Sequence, residues 1–184
     1  MEKKLQVFIS STYEDLLNER NAAIYGVLDA GHIPAGMELF KAGNRTPLET
    51  IYKWIDASDV YMLILSDRYG STEPTSGKSY IQLEYEYAIS KNIPVFAVIL
   101  SESFLRKKNF RKSKTNNTKN TQILEYQEKQ QYKEFKEAVM SKIIREVNDI
   151  KDIKIAIHST LREFIDGYDF IGWVRGDTVK IKEH

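Results

Sequence analysis

The 184-residue sequence predicts an α/β core built on a doubly wound parallel sheet, with a helical extension towards the C-terminus. Three observations carry this. Two apolar runs, Val60–Leu65 and Ile93–Leu100, lack the polar alternation of a half-exposed strand, so both of their faces should be covered. Helix-start signals alternate with strand-like runs over residues 5–100. The resulting order, β-α-β-α-β-α-β, calls for right-handed crossovers and a sheet with helices on each side.

Leu5–Ile9 reads as the first strand. Ser11/Glu14 and Thr12/Asp15 both stand at capping-box spacing, which predicts a helix from near Tyr13. Leu16, Leu17, Ile24, Val27 and Leu28 recur at helical spacing, and Gly31 supplies a stop. His32–Met37 reads as a strand whose Pro34 favours a sheet edge. Lys41–Arg45 is a polar loop. Thr46-Pro-Leu-Glu49 then gives a cap, a first-turn proline and a reciprocal glutamate for a helix to about Ala57. After Val60–Leu65 come a Gly/Ser/Thr/Pro-containing loop over Asp67–Lys78, a helix from Tyr80 to Lys91, and the strand Ile93–Leu100.

Composition shifts after Leu100. Arg106 to Lys119 holds seven basic residues and no acidic one, and reads as a solvated loop, with a phosphate or nucleic-acid patch as the alternative. A long helix is expected over Gln122–Asn148, with Tyr132, Phe135, Val139, Ile143 and Val147 as a core or contact stripe. A further helix over Ile153–Asp166 precedes Tyr168–Arg175, expected as a final strand or extended segment. The organisation is therefore a core over 1–104, a basic flexible loop over 105–121, and C-terminal helices with a final strand over 122–184 that pack on the core.

Composition narrows the chemistry. A chain 42% hydrophobic and 29% charged is that of a globular protein. Its net charge of +1 gives no global field for nucleic acid. The absence of cysteine excludes disulfides and thiolate catalysis, and fits the cytoplasm. His32, His158 and His184 lack metal-ligand spacing. The short apolar run after the N-terminus is below signal-peptide length, and no run reaches the roughly eighteen apolar residues of a membrane span.

Ligands of open parallel sheets bind at the carboxyl ends of the strands. Three segments should meet there: Ser10–Thr12, Glu38, and Ser66–Gly70 with Ser79–Glu84. Hydroxyls and free N–H groups after the first strand suit phosphate, although Ser10 and Ser11 also fit simple caps. Asp67 and Arg68 suit a local ion pair or a ribose hydroxyl. Glu84 is the sharpest candidate: a carboxylate there can hold a ribose diol and stabilise oxocarbenium character as an N-glycosidic bond breaks. Glu86 lies about 200° further round the helix, so the two carboxylates cannot share one site.

Val7-Phe-Ile-Ser-Ser11, Ser66-Asp-Arg-Tyr-Gly70, Ser79 with Glu84-Tyr-Glu-Tyr-Ala88, and Gly172-Trp-Val-Arg-Gly-Asp177 together resemble the DUF4062 family over nearly the whole chain. Residues 5–100 also resemble the TIR and nucleoside 2-deoxyribosyltransferase group, which implies a flavodoxin-like or TIR-like sheet. Phe8-Ile9-Ser10 is similar to the first strand end of TIR domains, and Ser66–Tyr69 to their Ser-x-x-Tyr turn. By motif position, the catalytic glutamate of NAD-cleaving members falls on Glu84, with Ser79 as the preceding serine. Glu84–Ala88 reproduces the Glu-x-x-x-Ala context of the deoxyribosyltransferases. Lys41–Arg45 would sit where TIR domains carry an assembly loop. Two features depart from these patterns. No tryptophan-cysteine pair precedes Glu84, and Glu73–Lys78 is not an aspartate-rich turn.

The resemblance implies a nucleotide N-glycosidase, most readily NAD-cleaving, of an antiviral defence or signalling type. Glu84 would stabilise the ribosyl cation, Ser10 and Ser11 would hold phosphates, and Tyr69 or Tyr80 would stack on a base. NAD or a related nucleotide would be substrate or ligand, water the acceptor, and no metal or other cofactor would be required. The expected assembly is a homo-oligomer, with a defence-system protein as partner and neither membrane nor nucleic acid. The alternative is a non-catalytic module that senses a nucleotide or self-associates.

Overall fold

The computed structural model describes residues 3–36, 47–112 and 122–176. Five parallel strands form one sheet: β1 (Gln6–Ser10), β2 (Ile33–Ala35), β3 (Val60–Leu65), β4 (Val95–Leu100) and β5 (Ile143–Val147), in the order β2-β1-β3-β4-β5. This is the flavodoxin-like order, whose direction reverses beside β1. β3 and β4 are buried at every residue, which is why their sequences do not alternate. The short β2 with Pro34 is an edge strand, where a missing ladder donor is tolerated.

Among the described residues six helices cover the two faces: α1 (Leu17–Asp29), α2 (Pro47–Asp56), α3 (Tyr80–Ser90), α4 (Glu102–Lys112), α5 (Gln122–Met140) and α6 (Ile150–Gly167). On one face Val7, Ile9, Met62, Ile64, Phe96 and Val98 pack with side chains of α1 and α6. On the other, Phe8, Tyr61, Leu63, Ala97 and Ile99 pack with α2, α3 and α5. Alternate residues of one strand thus feed two cores, as the pleat requires.

Three elements differ from expectation. α1 starts at Leu17 and has no side-chain cap. Ser11 Oγ donates to Thr12 O and accepts from Arg20, while Asp15 accepts from Ser66. These groups hold the loop after β1 and so cannot cap a helix at Tyr13. The helix expected over Gln122–Asn148 ends at Met140, and Ile143–Val147 is the fifth strand. Ser141 Oγ turns back onto Ala138 O at 2.7 Å, and Ile143, Ile144 and Val147 are β-branched residues suited to a pleated edge. Finally, residues 106–112 of the basic segment belong to α4, held in part by an Arg106–Glu102 ion pair one turn apart. Its remainder, 113–119, lies outside the described residues.

α6 begins with a full capping box between Asp149 and Asp152. The segment after it is extended and forms an antiparallel bridge between Lys4 and Trp173. Asp59 ties the start of β1 to the segment after α6, accepting from the backbone N–H groups of Gln6 and Gly172. Within α6, Thr160 is fully buried and its hydroxyl has no hydrogen-bond partner. Thr160→Val keeps the shape and removes that cost, so it should stabilise the fold by about 1 kcal/mol, read as a higher thermal midpoint.

Candidate functional site

The carboxyl ends of β1 and β3, the start of α3 and the middle of α5 surround a cavity of about 940 Å³. Of the residues predicted from sequence, Ser11, Asp67, Arg68, Tyr69, Tyr80 and Glu84 line it. Ser10 and Ser79 stand behind the wall. Ser79 caps α3, its Oγ accepting from Gln82 N, and that cap fixes where the first turns carry Glu84. Glu38 and the Lys41–Arg45 segment lie outside the described residues.

Glu84 is only 3% exposed. Ser10 Oγ donates to its Oε2 at 2.6 Å. Burial pushes the Glu84 carboxyl up to about 7; the Ser10 hydrogen bond and the Arg20 charge act the other way. Glu86, by contrast, is half-exposed and paired with Lys78 at 2.7 Å. The helix has separated the two carboxylates into one facing the cavity and one facing solvent. Tyr61 lies fully buried beneath Glu84, its hydroxyl raised well above the ordinary range by burial and then by the Glu84 charge.

The turn after β3 is built tightly against β1. Gly70 has φ +84°, and a Cβ there would lie 2.8 Å from Thr12 Cγ2. Gly70→Ala is therefore expected to cost about 1–2 kcal/mol from backbone conformation alone. It should also displace Thr12, which lines the cavity, so lost stability should come with weakened ligand binding.

α5 closes the opposite wall with Lys129 and Tyr132. The Tyr132 hydroxyl donates to Ser66 O, and burial, then the Asp67 charge, push its pKa up to about 12. The Tyr69 hydroxyl donates to Gln82 Oε1, while its ring packs edge-on against Phe135. A second, smaller cavity of about 440 Å³ lies between α1, α4 and the turn before α6, and includes none of the predicted site residues.

The profile of the family described as "Domain of unknown function (DUF4062)" matches residues 6–162. The chain is a DUF4062 domain. Its structure is similar to the TIR domains in the activated Roq1 resistosome, a structure described as directly recognising the pathogen effector XopQ. That similarity has a TM-score of 0.56 at 12% identity and covers 86% of this chain and 99% of that chain. At such identity the likeness concerns the fold, and it agrees with the TIR-like α/β architecture. No curated protein matches the sequence.

Three residues that organise this DUF4062 site were not singled out for it in the sequence. Arg20 is buried with its guanidinium on Ser11 Oγ and Ile9 O. Its signal was legible: position 20 falls on the same helical face as the buried Leu16, Ala23 and Val27. Asp15 holds the Ser66 hydroxyl, although its spacing suggested a cap. Tyr132 appeared only as part of a stripe. Among the described residues no cluster of His, Asp and Glu is arranged to hold a metal ion, and no helix is long and apolar enough to cross a membrane.

Proposed function

We propose that this DUF4062 domain is a nucleotide N-glycosidase with NAD as its substrate. One observation supports it above the others: a buried carboxylate, Glu84, held by Ser10 at the wall of a large cavity on the carboxyl edge of a parallel sheet. The cavity volume falls within the range of small-molecule and cofactor sites. In this reading the C1′–N bond breaks with its electron pair leaving on nicotinamide, which becomes neutral. Ionised Glu84 stabilises the ribosyl cation, and water adds to C1′ with loss of a proton, giving ADP-ribose. Because the Ser10 hydroxyl is committed to Glu84 and the Ser11 hydroxyl to Thr12 O and Arg20, the phosphates fall to Arg68, and a base stacks on Tyr69 or Tyr80.

Ionised Glu84 is the working form, so the rate should rise with pH through about 7. The test is incubation of concentrated protein with NAD and chromatography of the products across pH 5 to 9. Equal nicotinamide and ADP-ribose, increasing through that range, supports the reading; intact NAD at every pH overturns it.

A second reading rests on the likeness to resistosome TIR domains and on exposed Ile155 and Ile165 of α6. It makes the domain a nucleotide-sensing, self-associating module of a cytoplasmic defence system. Nucleotide-dependent change in mass without NAD turnover would favour it. Homo-oligomerisation and a defence-system partner are compatible with both readings.

A further inference from the structure

We infer that Arg20 is the positioning residue of this site, clamping the end of β1 and providing the buried positive charge against which the Glu84 carboxylate is held. The inference deepens the glycosidase reading and rests on it for its catalytic meaning.

The geometry is specific. Arg20 Nη1 donates to Ser11 Oγ at 2.9 Å, and Nη2 donates to Ile9 O at 3.3 Å. These are the two neighbours of Ser10, the residue whose hydroxyl reaches Glu84 at 2.6 Å. One planar guanidinium therefore grips both flanks of the residue that orients the carboxylate, a task for a rigid fork of donors rather than a single ammonium. Arg20 is 3% exposed and Glu84 is 3% exposed. A buried charge is costly unless an opposite one offsets it; the Arg20 charge favours ionised Glu84 but is outweighed by burial.

The cavity that Glu84 lines also carries Glu14, Asp15, Asp67, Arg68 and Lys129, while four groups act on or beside the carboxylate itself. β1 contributes the Ser10 hydroxyl, α1 the Arg20 guanidinium, β3 the Tyr61 phenol and α2 the Tyr52 phenol. Neither phenol is ionised near neutral pH, since both are raised above their ordinary value. Arg20 is the buried cation among them, whereas Arg68 and Lys129 are exposed at the cavity rim. It comes from α1, no residue of which lines the cavity, so it acts from inside the fold on a group that faces the cavity.

The test reads Glu84 directly in the full chain, with ¹³C-labelled glutamate carboxyls followed by NMR and the Glu84 signal assigned by its loss in Glu84→Gln. In Arg20→Gln the Glu84 midpoint should move up by about one pH unit. In Arg20→Lys, which keeps the charge, it should stay close to wild type. An unchanged midpoint in folded Arg20→Gln overturns the inference, as does an Arg20→Lys shift as large as that of Arg20→Gln.

Because Arg20→Gln loses two buried hydrogen bonds, its folding is covered by a double-mutant cycle with Glu84→Gln in urea. The stability cost of Arg20→Gln should be smaller in the Glu84→Gln background at pH 8, where Glu84 is ionised, and equal in both backgrounds at pH 5. A cost difference that ignores pH overturns the inference, since a purely structural role would behave that way. Neither measurement needs NAD turnover. A wild type that releases no nicotinamide defeats the glycosidase reading while leaving these two results to decide the role of Arg20.

Discussion

Glu84→Gln is expected to lower nicotinamide release by about 10³-fold and, at pH 8, to make the protein more stable than wild type. The first effect follows from losing the negative charge opposite the developing cation, whose contribution in a dry site is of this size. The second follows from linkage. Glu84 in the folded protein holds its proton up to about 7, against 4.5 when exposed in the unfolded chain. Between those values the folded state binds more protons, so stability is complete below about pH 4.5 and falls as pH rises through 7. The loss is on the order of 3 kcal/mol for a shift of this size. A glutamine has no proton to lose, so its urea midpoint should stay level where that of wild type declines. Both effects are read from one preparation, by chromatography at saturating NAD and by urea unfolding at pH 5 and pH 8. Full activity in the variant would remove Glu84 from the chemistry, and a parallel decline of the two midpoints would remove it from the pH dependence of stability.

The second large effect concerns the fold. Phe164→Ala is expected to cost about 3–5 kcal/mol, the range for emptying a core aromatic site. Phe164 is 1% exposed, and its ring meets Phe96 of β4 edge-on at 5.8 Å and Tyr168 at 5.2 Å. Because Phe96 lies on an inner strand of the sheet, between β3 and β5, the loss should appear in one cooperative transition spanning the whole domain. A cost below about 1 kcal/mol, or a separate early transition confined to α6, would show that the C-terminal helix is attached to the core rather than part of it.

The sequence was most informative where one physical cause governed a segment. Val60–Leu65 and Val95–Leu100 lie between two helical layers, so their apolar runs announced buried parallel strands. The position of Glu84 at the start of the helix after β3 was legible, and helical angle said that Glu84 and Glu86 could not share one site; that Glu86 is the solvated one came from its pairing with Lys78. Ambiguity arose where one residue serves two causes. Ser11, Thr12 and Asp15 have the spacing of caps, yet they serve the loop after β1 and the Ser66 contact, and α1 starts later as a result. The stripe from Tyr132 to Val147 runs through two elements. Phe135 and Val139 pack from α5 and Val147 from β5, and a three-to-four spacing cannot register that the chain reverses at Ser141. Arg20 was missed because arginines are mostly exposed, so its place on the apolar face of α1 passed as tolerance rather than purpose.

The contact between Tyr132 and Ser66 joins residues 66 positions apart in the chain. During synthesis, β1, β3 and Glu84 all emerge before the helix that closes their cavity. A ribosome-bound chain stopped short of α5 has the carboxylate but lacks the wall that Lys129 and Tyr132 supply. If the folded domain consumes NAD, the order of its elements delays that capacity until α5 has been made, so nascent chains abandoned before it leave the cell's nucleotide pool alone.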